Sequence, residues 1–170
     1  VYGSVGRSQL HPQGAWARQQ VLAELDANSD LEWLPQELVL YADALFEQNL
    51  SVTLPMDGSF LSAEIVRLGR TAANETLGRG CWRSSLQIQR QTAEGRRWEL
   101  VDRLEISDAA LKGVHGLNQQ PVFGTLVWAA PFPLPTDKLN TLLDDIRQDR
   151  NELKGTMHCG VLPQGLIARY

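Results

Sequence analysis

The chain has 170 residues, enough for one domain with a sizeable core. Hydrophobic residues make up 43% and the net charge is −4, so no basic excess exists to replace counterions along a nucleic acid backbone. No apolar run approaches the roughly 20 residues that a membrane-spanning helix needs.

Period-two alternation dominates the chain. Residues 15–26 place Val21, Ala23 and Leu25 on one side and Arg18, Gln20 and Glu24 on the other, which predicts a half-buried strand. Asn28-Ser29-Asp30 predicts a turn. Residues 31–41 and 45–54 read as two more strands, with Pro35 giving the first a bend or an edge position. Met56-Asp57-Gly58 is a second turn. Residues 60–68 are apolar on both faces, the pattern of a covered strand.

A polar connection runs from Gly69 to Gly80, and residues 82–91 and 96–106 then predict a hairpin. Its inward residues are Trp82, Leu86 and Ile88 on the first strand and Trp98, Leu100, Leu104 and Ile106 on the second. Arg97, Glu99, Arg103 and Glu105 face water in this reading. Asp108–Gly113 suits a short helical turn, and residues 123–130 another strand apolar on both faces. One long helix starts at Pro135-Thr136-Asp137, carries Leu139, Leu142, Leu143, Ile146 and Leu153 as a stripe, and ends at Gly155. The β pattern returns through Val161 and residues 166–170. The fold class is mainly β: layered β-sheets with one or two helices.

Nucleophile elbows, phosphate loops and zinc-protease motifs are absent from the sequence. The two cysteines, Cys81 and Cys159, are too few for a disulfide scaffold and read as small buried hydrophobes in a reducing cytosol. His158 beside Cys159 is an incomplete metal pattern. It leaves a stand-alone metal carrier as one reading; His11 and His115 read as surface residues. Trp16 reads equally as an interface anchor or as edge packing.

The informative feature is misplaced acid. Asp102 falls on the inward alternation of Leu100 and Leu104. Glu64 lies inside the strand that is apolar on both faces, and Glu37 sits between Pro35 and Leu38. A buried carboxylate needs a partner. Arginine, which far outnumbers lysine here, is the structural one. The functional reading is a set of acids lining a polar path or cation site, where oxygen ligands select metals weakly and suit passage. A third reading is a β-sandwich carboxylate hydrolase or sugar-binding module, which needs two carboxylates about 5–9.5 Å apart across a cleft.

The run Leu31-Glu32-Trp33-Leu34-Pro35-Gln36-Glu37 resembles the signature of the urease accessory protein UreD (UreH) family. Other stretches are similar in the same order. They are Val1-Tyr2-Gly3-Ser4, the segment from Phe60 to Gly69-Arg70, Phe123-Gly124-Thr125-Leu126, and Leu162-Pro163-Gln164-Gly165-Leu166. The resemblance marks Trp33, Pro35, Gln36, Glu37, Gly69, Arg70 and Gly124 as family-motif residues. It covers most of the chain, and family members extend further at both ends. Residues 1–170 are therefore expected to be a partial UreD-like domain, poorly soluble alone.

The resemblance implies a β-rich, cytoplasmic maturation chaperone rather than an enzyme. It would act with UreF and the GTPase UreG on apo-urease, holding no tight cofactor and passing nickel in transit. Glu37, Glu64 and Asp102 are nominated for the nickel path from their pattern alone.

Overall fold

The computed structural model describes residues 4–5 and 15–170. Val1–Gly3 of the first family-like stretch, and His11, lie outside the described residues.

Among the described residues eleven strands build two sheets facing one another. In chain order they are β1 (Ser4–Val5), β2 (Ala17–Glu24), β3 (Asp30–Trp33), β4 (Leu38–Leu40), β5 (Leu45–Leu54), β6 (Ser59–Leu68), β7 (Cys81–Thr92), β8 (Gly95–Ser107), β9 (Val122–Ala129), β10 (His158–Leu162) and β11 (Gly165–Arg169). Helix α1 (Asp108–Lys112) follows β8, and α2 (Thr136–Asp149) precedes β10. The smaller sheet has the order β2-β5-β7-β8. The larger has the order β1-β4-β6-β9-β11-β10, with β3 also pairing β6. The layered, mainly β architecture matches the sequence reading.

The winding is distinctive. β2, β5 and β7 run parallel in the smaller sheet, and β3 and β4 run parallel to β6 in the larger. Among the described residues the chain therefore crosses between the sheets after β2, β4, β5, β6 and β8. The Met56-Asp57-Gly58 turn is such a crossing, not a hairpin within one sheet.

The inward alternation fills the space between the sheets with two apolar clusters. One gathers Leu38, Leu40, Phe46, Val66, Leu68 and Trp82; the other gathers Leu50, Val52, Leu54, Phe60, Ile88 and Val127. Each buried aliphatic side chain contributes about 1.5–3 kcal/mol. Helix α2 lies against β10, where Leu143 is buried and its carbonyl meets the Cys159 thiol.

Four expectations are corrected. First, the strand expected over 31–41 is two strands, broken between Trp33 and Leu38. Four residues there face only three on β6, and Pro35 has no N–H to give the ladder. Second, Trp98 is exposed and Glu99 is buried, the reverse of the alternation. The pairing of β7 with β8 shifts register between Ile88 and Gln89, and this bulge inverts the faces beyond it. Third, β6 is not covered on both faces, because Ile65 is 50% exposed. Fourth, Leu153 lies beyond α2 and is exposed, outside the helical stripe.

Candidate functional site

Between the two apolar clusters runs a polar seam. It arises because inward positions at mid-strand carry polar residues on both sheets. β5 reads Phe46, Gln48, Leu50 inward, and β6 reads Ser62, Glu64, Val66. Strand register then aligns the row: Gln48 pairs with Ser84 on β7, while Glu64 pairs with Thr125 on β9, which pairs with Arg169 on β11.

Glu64 is the centre of the seam. Its carboxylate accepts a hydrogen bond from Gln48 Nε2 across the gap between the sheets. Among the described residues no arginine pairs with it, contrary to the ion pair expected for each acid. Burial raises the Glu64 pKa above the ordinary glutamate value, because loss of water penalises the charged form; the Gln48 hydrogen bond opposes this. Gln48 Oε1 is buried without a partner.

Two small cavities flank this pair. One, of about 30 Å³, is lined by Gln19, Trp33, Pro35, Gln36, Gln48 and Glu64, among others. The second, of about 20 Å³, lies toward Ser84, Leu86 and Thr125. Each has room for one or two water molecules or one bare ion. Trp33 lines both.

Asp102 faces inward, as its alternation with Leu100 and Leu104 predicts, and takes the arginine partner expected for it. Arg169 Nη2 reaches across from β11 to Asp102 Oδ2 on β8. Arg169 also lies over the Phe123 ring at 5.8 Å, and Phe123 meets Trp82 edge-on. The Glu64–Gln48 and Arg169–Asp102 pairs are two strand spacings apart, about 10 Å. The seam thus brings Glu64 and Asp102 into one interlayer.

Glu37 is elsewhere. It stands on the segment between β3 and β4, where Arg67 Nε donates to it at 2.7 Å and both side chains are over one-third exposed. Glu37 lines neither of the two cavities beside Glu64, so the paired-carboxylate cleft of a hydrolase gains no support. His158 is exposed on β10 beside Arg169, and Cys159 is half-buried. Among the described residues no group of three or more His, Cys, Asp or Glu side chains is placed to hold a metal ion.

The family-like residues have local roles. Trp33, Pro35 and Gln36 line the larger of the two seam cavities. Gly69 has φ +88°, and a Cβ there would meet the Glu75 carbonyl at 2.3 Å, so only glycine fits. Arg70 bonds Glu75 and stacks over Tyr41. Gly124 pairs through its backbone with Tyr170. Arg83 stacks over Trp16, which gives that indole an edge-packing role.

Gln48 and Arg169 escaped the sequence reading, although the signal that marked Asp102 marks them too: a polar residue inside an apolar alternation. Arg90 carries the same mark and is 2% exposed.

The model of the UreD urease accessory protein family matches residues 1–170. The chain belongs to the UreD urease accessory protein family. Across all 170 residues it is 88% identical to the urease accessory protein UreD of Synechococcus sp. (strain CC9311), of which it covers 57%. It is 65% identical to the UreD of Parasynechococcus marenigrum (strain WH8102), covering 55% of it. With the UreD of Prochlorococcus marinus (strain MIT 9303) the identity is 59%, covering 57%. The chain thus spans a little over half the length of these UreD relatives. No helix among the described residues is long and apolar enough to cross a membrane.

Proposed function

We propose that this chain is part of a urease maturation factor that works in the cytoplasm with UreF and the GTPase UreG to insert nickel into apo-urease. It acts by binding, and nickel is its cargo. The observation that carries the reading at the level of this chain is Glu64. It is a largely buried carboxylate with no cation paired to it among the described residues, between two cavities sized for water or an ion. Family membership supplies the urease context.

The seam offers oxygen donors without a closed ligand set. Carboxylate and amide oxygens hold divalent cations weakly and with little selectivity, which favours transit over storage. The sheets exclude bulk water, and Gln48 and Arg169 hold the two carboxylates facing the interlayer.

The test uses the full-length protein with UreF, UreG and apo-urease. Glu64→Gln is expected to lower both the nickel content and the activity of the matured urease while leaving association with UreF intact. Normal nickel loading by a folded Glu64→Gln protein would refute the path. Full urease activation in cells lacking the whole protein would refute the maturation role.

A further inference from the structure

The break between β3 and β4 lies directly opposite Glu64. β3 pairs with residues 59–62 of β6, and β4 pairs with residues 66–68. Among the described residues no strand pairs Ala63, Glu64 or Ile65 on that side. Segment Leu34–Glu37 arches away there, with Leu34, Gln36 and Glu37 exposed. The larger seam cavity sits behind this arch. Exposed Gln36 and half-buried Pro35 form its outer wall, and Gln48 and Glu64 form its inner one. The far end of the seam differs: the Arg169–Asp102 ion pair bridges the two sheets there.

We propose that the arch at Leu34–Glu37 is the port through which a divalent cation reaches Glu64. This deepens the nickel-path reading and rests on it. Three features support the assignment. A cavity joins a surface residue, Gln36, to Glu64, the seam carboxylate that has no guanidinium partner among the described residues. Its volume of about 30 Å³ has room for a bare ion or one or two water molecules. Amide and carboxylate oxygens are acceptors for a hard or borderline cation as it sheds water. At the opposite end an entering cation would first have to displace Arg169 from Asp102. The extra residue in the arch and the missing Pro35 N–H thus have a function: they keep the ladder open where the ion enters.

Ni2+ alone is the probe, and Trp33 is the reporter, because it lines both cavities and a paramagnetic ion beside an indole quenches its fluorescence. Stopped-flow quenching is followed in the full-length protein, with Trp33→Phe identifying the Trp33 signal. Glu64→Gln is expected to abolish that part of the quenching. Gln36→Cys, alkylated with a bulky maleimide, is expected to slow its rate at least tenfold and leave its final extent unchanged. Arg103→Cys, exposed beside Asp102 and alkylated in the same way, is expected to leave the rate unchanged. Wild-type protein treated with the reagent corrects for the native cysteines, Cys81 and Cys159 among them.

An unchanged rate in alkylated Gln36→Cys, with quenching still dependent on Glu64, overturns the port and leaves the path standing. So does slowing by the alkylated Arg103→Cys protein alone, which places entry at the other end. A loss of extent rather than rate at position 36 makes Gln36 a ligand and also overturns the port. Quenching indifferent to Glu64→Gln overturns the path and the port together.

Discussion

Arg90 offers the strongest test of how the fold is held. Its side chain is 2% exposed, and all three guanidinium nitrogens are engaged. Nε donates to Glu99 at 2.8 Å. Nη1 donates to the carbonyls of Pro55 at 3.1 Å, Met56 at 3.3 Å and Gly58 at 2.7 Å, and Nη2 to that of Ala130 at 2.7 Å. One side chain thus ties β7 to the β5–β6 crossing and to the end of β9. Arg90→Met would keep most of the volume and leave Glu99, whose side chain is fully buried, with Arg97 as its remaining cation. Breaking one partner of a buried pair costs about 3–5 kcal/mol. Removing both charges spares the orphaned carboxylate, so Arg90→Met with Glu99→Leu should recover part of that loss, while the carbonyls of Pro55, Met56, Gly58 and Ala130 stay unpaired in both variants. Urea unfolding of the full-length variants measures both quantities. A loss below about 1 kcal/mol for Arg90→Met, the scale of an exposed pair, would refute the account. So would a double variant no more stable than the single one.

Glu64 gives a pH signature. Its folded pKa is raised, so the folded state binds more protons than the unfolded state between the ordinary glutamate value and the raised one. Stability falls as pH climbs through that window. Glu64→Gln should abolish the fall, and its advantage over wild type should grow with pH in denaturation series. Asp102→Asn should cost about 1.5–3 kcal/mol, toward the low end because 19% and 30% of the two side chains still meet solvent; a double-mutant cycle with Arg169→Gln should assign most of it to the pair. Glu37→Gln, breaking a surface pair with Arg67, should shift the urea midpoint by less than about 1 kcal/mol equivalent. Gly165→Ala should cost well over 1 kcal/mol, since φ is +141° and a Cβ would meet the Trp128 carbonyl at 1.9 Å.

Most strands were legible because one face of each meets the interior, so alternation survives in the residues. Asp102 was found for that reason, and β5 was delimited at both ends. Alternation fails where the ladder changes count. At Glu99 a bulge inverts the faces, and nothing local in Arg97-Trp98-Glu99 announces it, because the shift depends on pairing with β7. At Pro35 the residue type did announce an irregularity. Its meaning, a gap opposite Glu64, needed the register of β3, β4 and β6. Which acid pairs with which base is also long-range: Arg169 and Asp102 are 67 residues apart, and Gln48 and Glu64 belong to different sheets. The family-like motif was legible outright, though its setting around a cavity was not.

The repeated crossing of the chain between the sheets has a mechanical consequence. Among the described residues five connections, after β2, β4, β5, β6 and β8, stitch one layer to the other, and Arg90 clamps one of those stitches. A sandwich of two independent sheets can part like a clamshell; this one is laced. Separating the layers enough to admit a ligand would mean unwinding whole coils. A small ion or water molecule could reach the middle only sideways, through the lacing, while the layers stay shut.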